Sequence, residues 1–247
     1  MNDLASSRLR ISSPLAETDS LRYVGPEGPC PYLPDRLARN EAYVVDQLDP
    51  AQYEMLMGRG FRRSGRVVYR PRCRGCSACR PIRIPVEPFE RSRSLRRVWS
   101  KNQDLEVSVG EPEPTPEKYV LYRDYLKARH DGTMDRSFAS FEAFLYDSPT
   151  GTLEFSYRLG DLLVGVSIAD RCPTGLSSVY MYSDPALSVR SLGTYSVLWE
   201  LDWCRRQRLD YYYLGYYVEG SLTMTYKARF RPNEMLNTEG CWLPFQD

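Results

Sequence analysis

Leu176-Ser-Ser-Val-Tyr-Met-Tyr182, the turn Ser183-Asp184-Pro185, a helix-patterned run from Ser191 to about Arg206, and Tyr211-Tyr-Tyr-Leu-Gly-Tyr-Tyr217 follow one another in the last third of the chain. A β-rich run, a helix and a second β-rich run predict a crossover unit, two parallel strands joined through the helix. Such a unit sets a helix N-terminus, with its unpaired N–H groups, beside the strand ends. Chemistry is expected there.

The helix opens Arg190-Ser191-Leu192-Gly193-Thr194-Tyr195, with Ser191 as the expected N-cap and Gly193 allowing close approach of a ligand or backbone. Leu192, Tyr195, Leu198, Trp199 and Trp203 recur at spacings of three and four, which predicts one buried face. This region resembles the GCN5-related acyltransferase fold, whose Arg/Gln-x-x-Gly-x-Gly/Ala loop cradles the pyrophosphate of acyl-CoA. The expected class is therefore α+β or α/β, an acyltransferase-like C-terminal domain (111–247) behind a smaller basic N-terminal α+β domain (1–110). Tyr195 stands where the loop needs a small residue, which points to an acyl donor other than CoA.

With 247 residues and 42% hydrophobic content, the chain can build a substantial core. The polar start from Met1 to Ile11 and the lack of a long apolar run predict a cytoplasmic protein with no membrane partner. Seven cysteines without a secretory signal suit thiols or metal ligands better than a disulfide framework.

Net charge is only +1, but Arg59 to Lys101 carries fourteen Arg/Lys against Glu87 and Glu90, a local +12. Nearly all are Arg, the residue suited to bidentate phosphate contacts. Such a run either decorates a solvated face or forms a polyanion site, for which RNA is the natural ligand. Within it, Arg91 to Gln103 predicts an amphipathic helix with Leu95, Val98, Trp99 and Asn102 on one face. Arg91, Arg93, Arg96, Arg97 and Lys101 are its candidate RNA contacts.

Cys73-Arg-Gly-Cys76-Ser-Ala-Cys79 forms a knuckle, with Cys30 as the distant fourth candidate ligand for zinc or an iron–sulfur cluster; the alternative is a turn that binds nothing. Helices are expected at 50–58, from Thr115-Pro116 to about Arg129 and around 138–146, with a hairpin about Gly160-Asp161. Glu111 to Pro116 reads as the domain boundary. The single histidine, His130, is expected to cap a helix C-terminus rather than act as a base. The nineteen tyrosines either pack the sheet or line a cleft.

Cys30-Pro-Tyr-Leu-Pro, Gly60-Phe-Arg-Arg-Ser-Gly65, Tyr69 to Cys79, Arg129-His-Asp-Gly132, Tyr180 to Pro185, Arg190 to Gly193, Tyr213-Leu-Gly-Tyr216 and Met224-Thr-Tyr-Lys-Ala228 together resemble the bacterial protein leucyltransferases, relatives of the eukaryotic arginyl-tRNA–protein transferases. Ser183 departs from that pattern, which has an aromatic residue there. The resemblance implies transfer of leucine from leucyl-tRNA to proteins beginning with Asp or Glu, in the N-end rule pathway of degradation. It implies no cofactor for the chemistry.

An aminoacyl ester is already activated, and an α-amine with a pKa near ~8 is roughly one-tenth neutral at pH 7. Positioning and oxyanion stabilisation then carry most of the rate. Tyr180, Tyr182, Asp184, Tyr216 and Tyr226 are expected to shape the cleft, with Asp170 or Asp184 as proton acceptor and Lys227 or Arg190 pairing with the acceptor's acidic side chain. A CoA-dependent N-acetyltransferase and a non-catalytic, metal-stapled RNA-binding module are the rival readings.

Overall fold

The computed structural model describes residues 21–129 and 135–245. Strands β1 (Leu21–Val24), β2 (Gly28–Pro29), β3 (Leu37–Ala38) and β4 (Asn40–Val44) precede helix α1 (Pro50–Gly58). Next come β5 (Arg62–Ser64), β6 (Val67–Pro71), β7 (Cys79–Pro85), α2 (Arg93–Lys101) and β8 (Glu106–Gly110). Helix α3 (Pro116–Arg129) and α4 (Phe138–Phe141), the latter running into a π-helical turn, lead to β9 (Thr152–Leu159), β10 (Leu162–Arg171) and β11 (Gly175–Ser183). A 3₁₀ turn, Pro185–Arg190, then introduces α5 (Leu192–Arg206) and β12 (Tyr211–Val218). A second 3₁₀ turn, Thr225–Arg229, precedes β13 (Glu234–Leu236) and β14 (Trp242–Pro244).

The expected crossover is present. β11 and β12 are parallel neighbours joined through α5, at the middle of an eight-stranded sheet ordered β14-β13-β7-β12-β11-β10-β9-β8. Every other pairing in that sheet is antiparallel. Leu192, Tyr195 and Leu198 are buried in the core beneath α5 as their spacing predicts, Leu201 joins them, and Trp199 and Trp203 pack half-buried against the same core. Glu200, on the same helix, is also buried; it accepts from Ser167 Oγ (2.6 Å), Tyr212 OH (2.6 Å) and Tyr157 OH (3.2 Å). Burial pushes its carboxyl up to about 7, and the three hydroxyls oppose the shift.

The expected division at 110/111 does not separate two cores. β7 lies between β13 and β12, and β8 closes the sheet against β9, so segments on both sides of that point share one sheet. Ile82, Ile84 and Leu95 belong to the same core as Phe155, Leu198 and Tyr212. The smaller unit ends earlier. Its four-stranded sheet, β1-β4-β6-β5, and α1 enclose Tyr53, Leu56, Phe61 and Val68, and this cluster rests on Cys172 and Tyr213 of the large sheet. Glu111 to Thr115 is a loop between β8 and α3.

Two local expectations change. Ser191 occupies the position before α5, but with φ 55° its hydroxyl caps nothing, because the chain arrives from a 3₁₀ turn rather than from an extended segment. Asp184 caps that 3₁₀ turn instead, accepting from Ala186 N at 2.9 Å. No backbone approaches Gly193, around which there is open space.

Gly175 starts the parallel pair, and a Cβ there would lie 2.9 Å from the Tyr211 carbonyl oxygen and 2.7 Å from the Tyr213 ring. Gly175→Ala is expected to force β11 and β12 apart at their pairing, costing about 1–3 kcal/mol in a urea titration. A variant as stable as the parent would mean that the ladder gives way without strain.

Candidate active site

β11 and β12 stay together for three residues only, Gly175–Ser177 against Tyr211–Tyr213. Beyond them β11 follows β10, while β12 follows β7 through a register shift between Tyr213 and Gly215, where Gly215 takes φ +90°. Carbonyl groups facing the split lose their ladder partners and need donors. Two cations supply them. Arg62, from β5, donates through Nη2 to Ser178 O on β11 at 2.6 Å, and Lys227, from the second 3₁₀ turn, donates through Nζ to Tyr216 O on β12 at 2.9 Å.

Both side chains belong to residues that are 7% exposed. Gly215 lies between them: the point where its side chain would begin is 3.4 Å from Lys227 Nζ and 3.6 Å from Arg62 Nη2. Burial, and then the Arg62 charge, push the Lys227 ammonium down to about 7. Arg62 has one further contact, Nη1 to Met57 Sδ at 3.8 Å. Among the described residues neither cation has a carboxylate partner.

Arg63, next in the strand, behaves differently. It pairs with Asp170 in a fork, Nε to Oδ2 at 2.8 Å and Nη2 to Oδ1 at 2.7 Å, both side chains being fully buried. Asp170 Oδ1 also accepts from Thr152 Oγ1 at 2.7 Å. The carboxylate expected as a proton acceptor thus flanks the split with its oxygens already engaged. Asp184 is half-buried and committed to its cap. Arg190 forks onto Asp104 at 2.8 and 2.9 Å, so of the two cations expected to meet an acceptor only Lys227 faces the split. Tyr195 points into the core against Trp99 and Tyr157. Its bulk thus lies in the core rather than in the loop, whose Arg190 is paired with Asp104.

The tyrosines divide into two groups. Tyr180 and fully buried Tyr182 join Tyr122, Phe141 and Tyr146 in an aromatic cluster under α3, with Tyr146 OH and Tyr182 OH 3.1 Å apart. Burial raises the hydroxyls of Tyr180 and Tyr182. Tyr216 instead turns toward the smaller unit, donating to Gly60 O at 2.7 Å, while Tyr226 is 43% exposed beside Phe230. His130 lies outside the described residues.

Tyr216 also reaches two cavities. One, of about 870 Å³, is lined by Arg39, Arg59, Arg70, Arg72 and Arg80 against a single acid, Glu41. The other, of about 420 Å³, is lined by Cys30, Cys73, Cys76 and Cys79. Burial and the other three thiols push Cys79 up to about 12. Arg36 Nη1 and the Arg39 backbone N–H lie 3.4 Å from Cys76 Sγ and Cys73 Sγ. The four soft donors line one cavity, but among the described residues no three stand close enough to hold one ion.

Much of the +12 segment serves the fold. Besides Arg62 and Arg63, Arg66 pairs with Asp46 and Asp147, and Arg83 with Glu234. Just before α2, Arg91 pairs with Asp202; on the helix, Arg96 donates to Arg91 O and Lys101 donates to Val189 O. Arg93 and Arg97 are exposed and without partners among the described residues. Sequence reasoning missed Arg62 as a site residue, since nothing in local composition separates it from its twelve neighbouring arginines.

A crossover-wound mixed α/β sheet, split at its parallel pair and flanked by an arginine-lined cavity, has the layout of a transferase acting on an anionic donor. The family described as arginine-tRNA–protein transferase matches in both its parts, the N terminus over residues 28–97 and the C terminus over 117–237, and the chain belongs to it. It is therefore an enzyme that transfers aminoacyl groups. Proteins called aspartate/glutamate leucyltransferase are similar over most of its length. The one from Hahella chejuensis is 42% identical over 219 residues, covering 87% of this chain and 93% of that protein. The one from Nitrosococcus oceani is 44% identical over 217 residues, covering 86% and 91%. Among solved structures, FemX is similar with a TM-score of 0.46 and 9% identity, covering 78% of this chain and 68% of that one.

Unfolded, Lys227 holds its proton up to about pH 10.5, whereas the native chain releases it near 7. Between those values the unfolded state binds more protons, so native stability rises with pH. Urea titrations from about pH 6 to about pH 9 should show wild type gaining stability relative to Lys227→Met as pH rises. A difference that stays flat would mean that the native ammonium keeps its charge.

Proposed function

We propose that the chain transfers leucine from leucyl-tRNA to the α-amine of proteins beginning with Asp or Glu, marking them in the cytoplasm for N-end rule degradation. The arginine-lined cavity that ends at Tyr216 carries this reading. Five guanidinium groups against one carboxylate favour phosphates, and its volume falls within the ~300–1,000 Å³ of sites for small ligands, enough for the terminal nucleotide of a charged tRNA. Arg93 and Arg97 on α2 are free to extend the contact to the RNA backbone. The names of the relatives support leucine as donor and acidic N-termini as acceptors.

In the step itself the neutral α-amine attacks the ester carbonyl, the amide bond forms, and the ester C–O bond to the ribose breaks. The amine proton ends on the ribose hydroxyl. Lowering the amine's proton affinity asks for only about 1.4 kcal/mol at pH 7, so orientation supplies most of the acceleration. Tyr216 and Tyr226 border the cleft on this reading, Tyr180 and Tyr182 back it from the aromatic cluster under α3, and Asp184, whose Oδ1 caps the 3₁₀ turn, keeps its other oxygen to relay the proton. Cys30, Cys73, Cys76 and Cys79 would hold zinc or an iron–sulfur cluster as a staple between the smaller unit and β7, outside the transfer step.

Labelled leucine and arginine, each presented on its tRNA with peptides beginning Asp, Glu, Arg or Ala, test this reading. Leucine is expected on the Asp and Glu peptides alone. Arginine in its place would move the donor, and transfer of neither would overturn the assignment.

A further inference from the structure

Arg62 and Lys227 each satisfy one orphaned carbonyl of the split and then have donors to spare. Lys227 spends one of three N–H bonds on Tyr216 O, and Arg62 spends one strong bond on Ser178 O and a weak one on sulfur. Two buried cations without an anion are costly, because each is desolvated and neither relieves the other. Arg63, one residue away, shows how this fold handles a cation that is purely structural: it is given Asp170.

The geometry points to Arg62 and Lys227 as a two-cation clamp that holds the carboxylate of the acceptor's N-terminal Asp or Glu over Gly215, making Arg62 a specificity-determining residue of the reaction. This rests on the acceptor reading given above. A carboxylate has two oxygens and so can meet both cations at once. The residue between them is glycine in a left-handed conformation, and an atom at its missing Cβ position would stand 3.4 Å from Lys227 Nζ and 3.6 Å from Arg62 Nη2, within reach of both cations at once. Lys227's depressed proton affinity has Arg62 among its causes, and an anion between the two would reverse that effect. The planar guanidinium fixes direction, while the flexible lysine stem takes up the one-methylene difference between Asp and Glu. A tRNA phosphodiester suits the place less well, because its chain continues on both sides and these residues are 7% exposed.

Arg62→Gln tests the clamp. Calorimetry of an Asp-initiated tetrapeptide amide and its Asn counterpart, without tRNA, should show wild type favouring Asp roughly 100-fold and the variant losing that preference. In the transfer assay KM for the Asp peptide should rise far more than kcat falls, and Arg62→Lys should restore part of the preference. If Arg62→Gln does not fold, Lys227→Met is read for the same ratio. A folded variant of either kind that keeps the wild-type Asp-over-Asn ratio overturns the clamp. If wild type discriminates Asp from Asn in binding but transfers nothing from leucyl-tRNA, the clamp stands and the donor assignment falls.

Discussion

Parallel strands that part company after three residues leave carbonyl groups on both edges facing a gap that the backbone cannot close. Water would satisfy them in an open groove. In this fold the gap is buried, and Ser178 O and Tyr216 O are met by Arg62 and Lys227. The choice of cations rather than neutral donors has a consequence. Each carries charge into a region where an unpaired charge is expensive, so the split is held closed by groups that favour an incoming anion.

That arrangement depends on residues distant in sequence. Arg62 arrives from the smaller unit, and Lys227 from a 3₁₀ turn that follows the crossover. Between the unit and the large sheet stands the Arg63–Asp170 fork, fully buried, which fixes β5 against β10. Removing one partner of such a pair typically costs about 3–5 kcal/mol, because the other charge is left buried and alone. Adjacent arginines on one strand thus divide the work: Arg63 is spent on registering the two units, and Arg62 is carried into the gap by that registration.

The crossover was legible because strand and helix periods alternate cleanly from Leu176 to Tyr217, and the helices at Pro50, Arg93 and Pro116 because their caps and apolar spacings are local signals. Strands β1, β4, β8, β13 and β14 were not, being short and paired with distant partners rather than marked by their own composition. The same limit applies at the site. Lys227 could be picked out because its motif stands apart, but Arg62 was hidden in a charge run, and burial decides which members of such a run are structural. The engagement of Asp170 is hidden from the sequence for a related reason. A carboxylate's availability is set by its partners, and Arg63 lies 107 residues away.

Tyr216 shows why one end of the sheet gathers these features. Its carbonyl takes the Lys227 ammonium, its hydroxyl donates to Gly60 O just before β5, and its ring borders both the arginine-lined and the cysteine-lined cavities. A residue on β12 that bonds to the smaller unit on one side and to the 3₁₀ turn on the other ties the position of Lys227 to that of the basic cavity. Gly215, immediately before it, supplies the left-handed step that accompanies the register shift against β7. The local backbone geometry that breaks the regular pairing is thus the same geometry that leaves room between the two cations. The approach of the two cations to Gly215 and the strand separation have one structural cause.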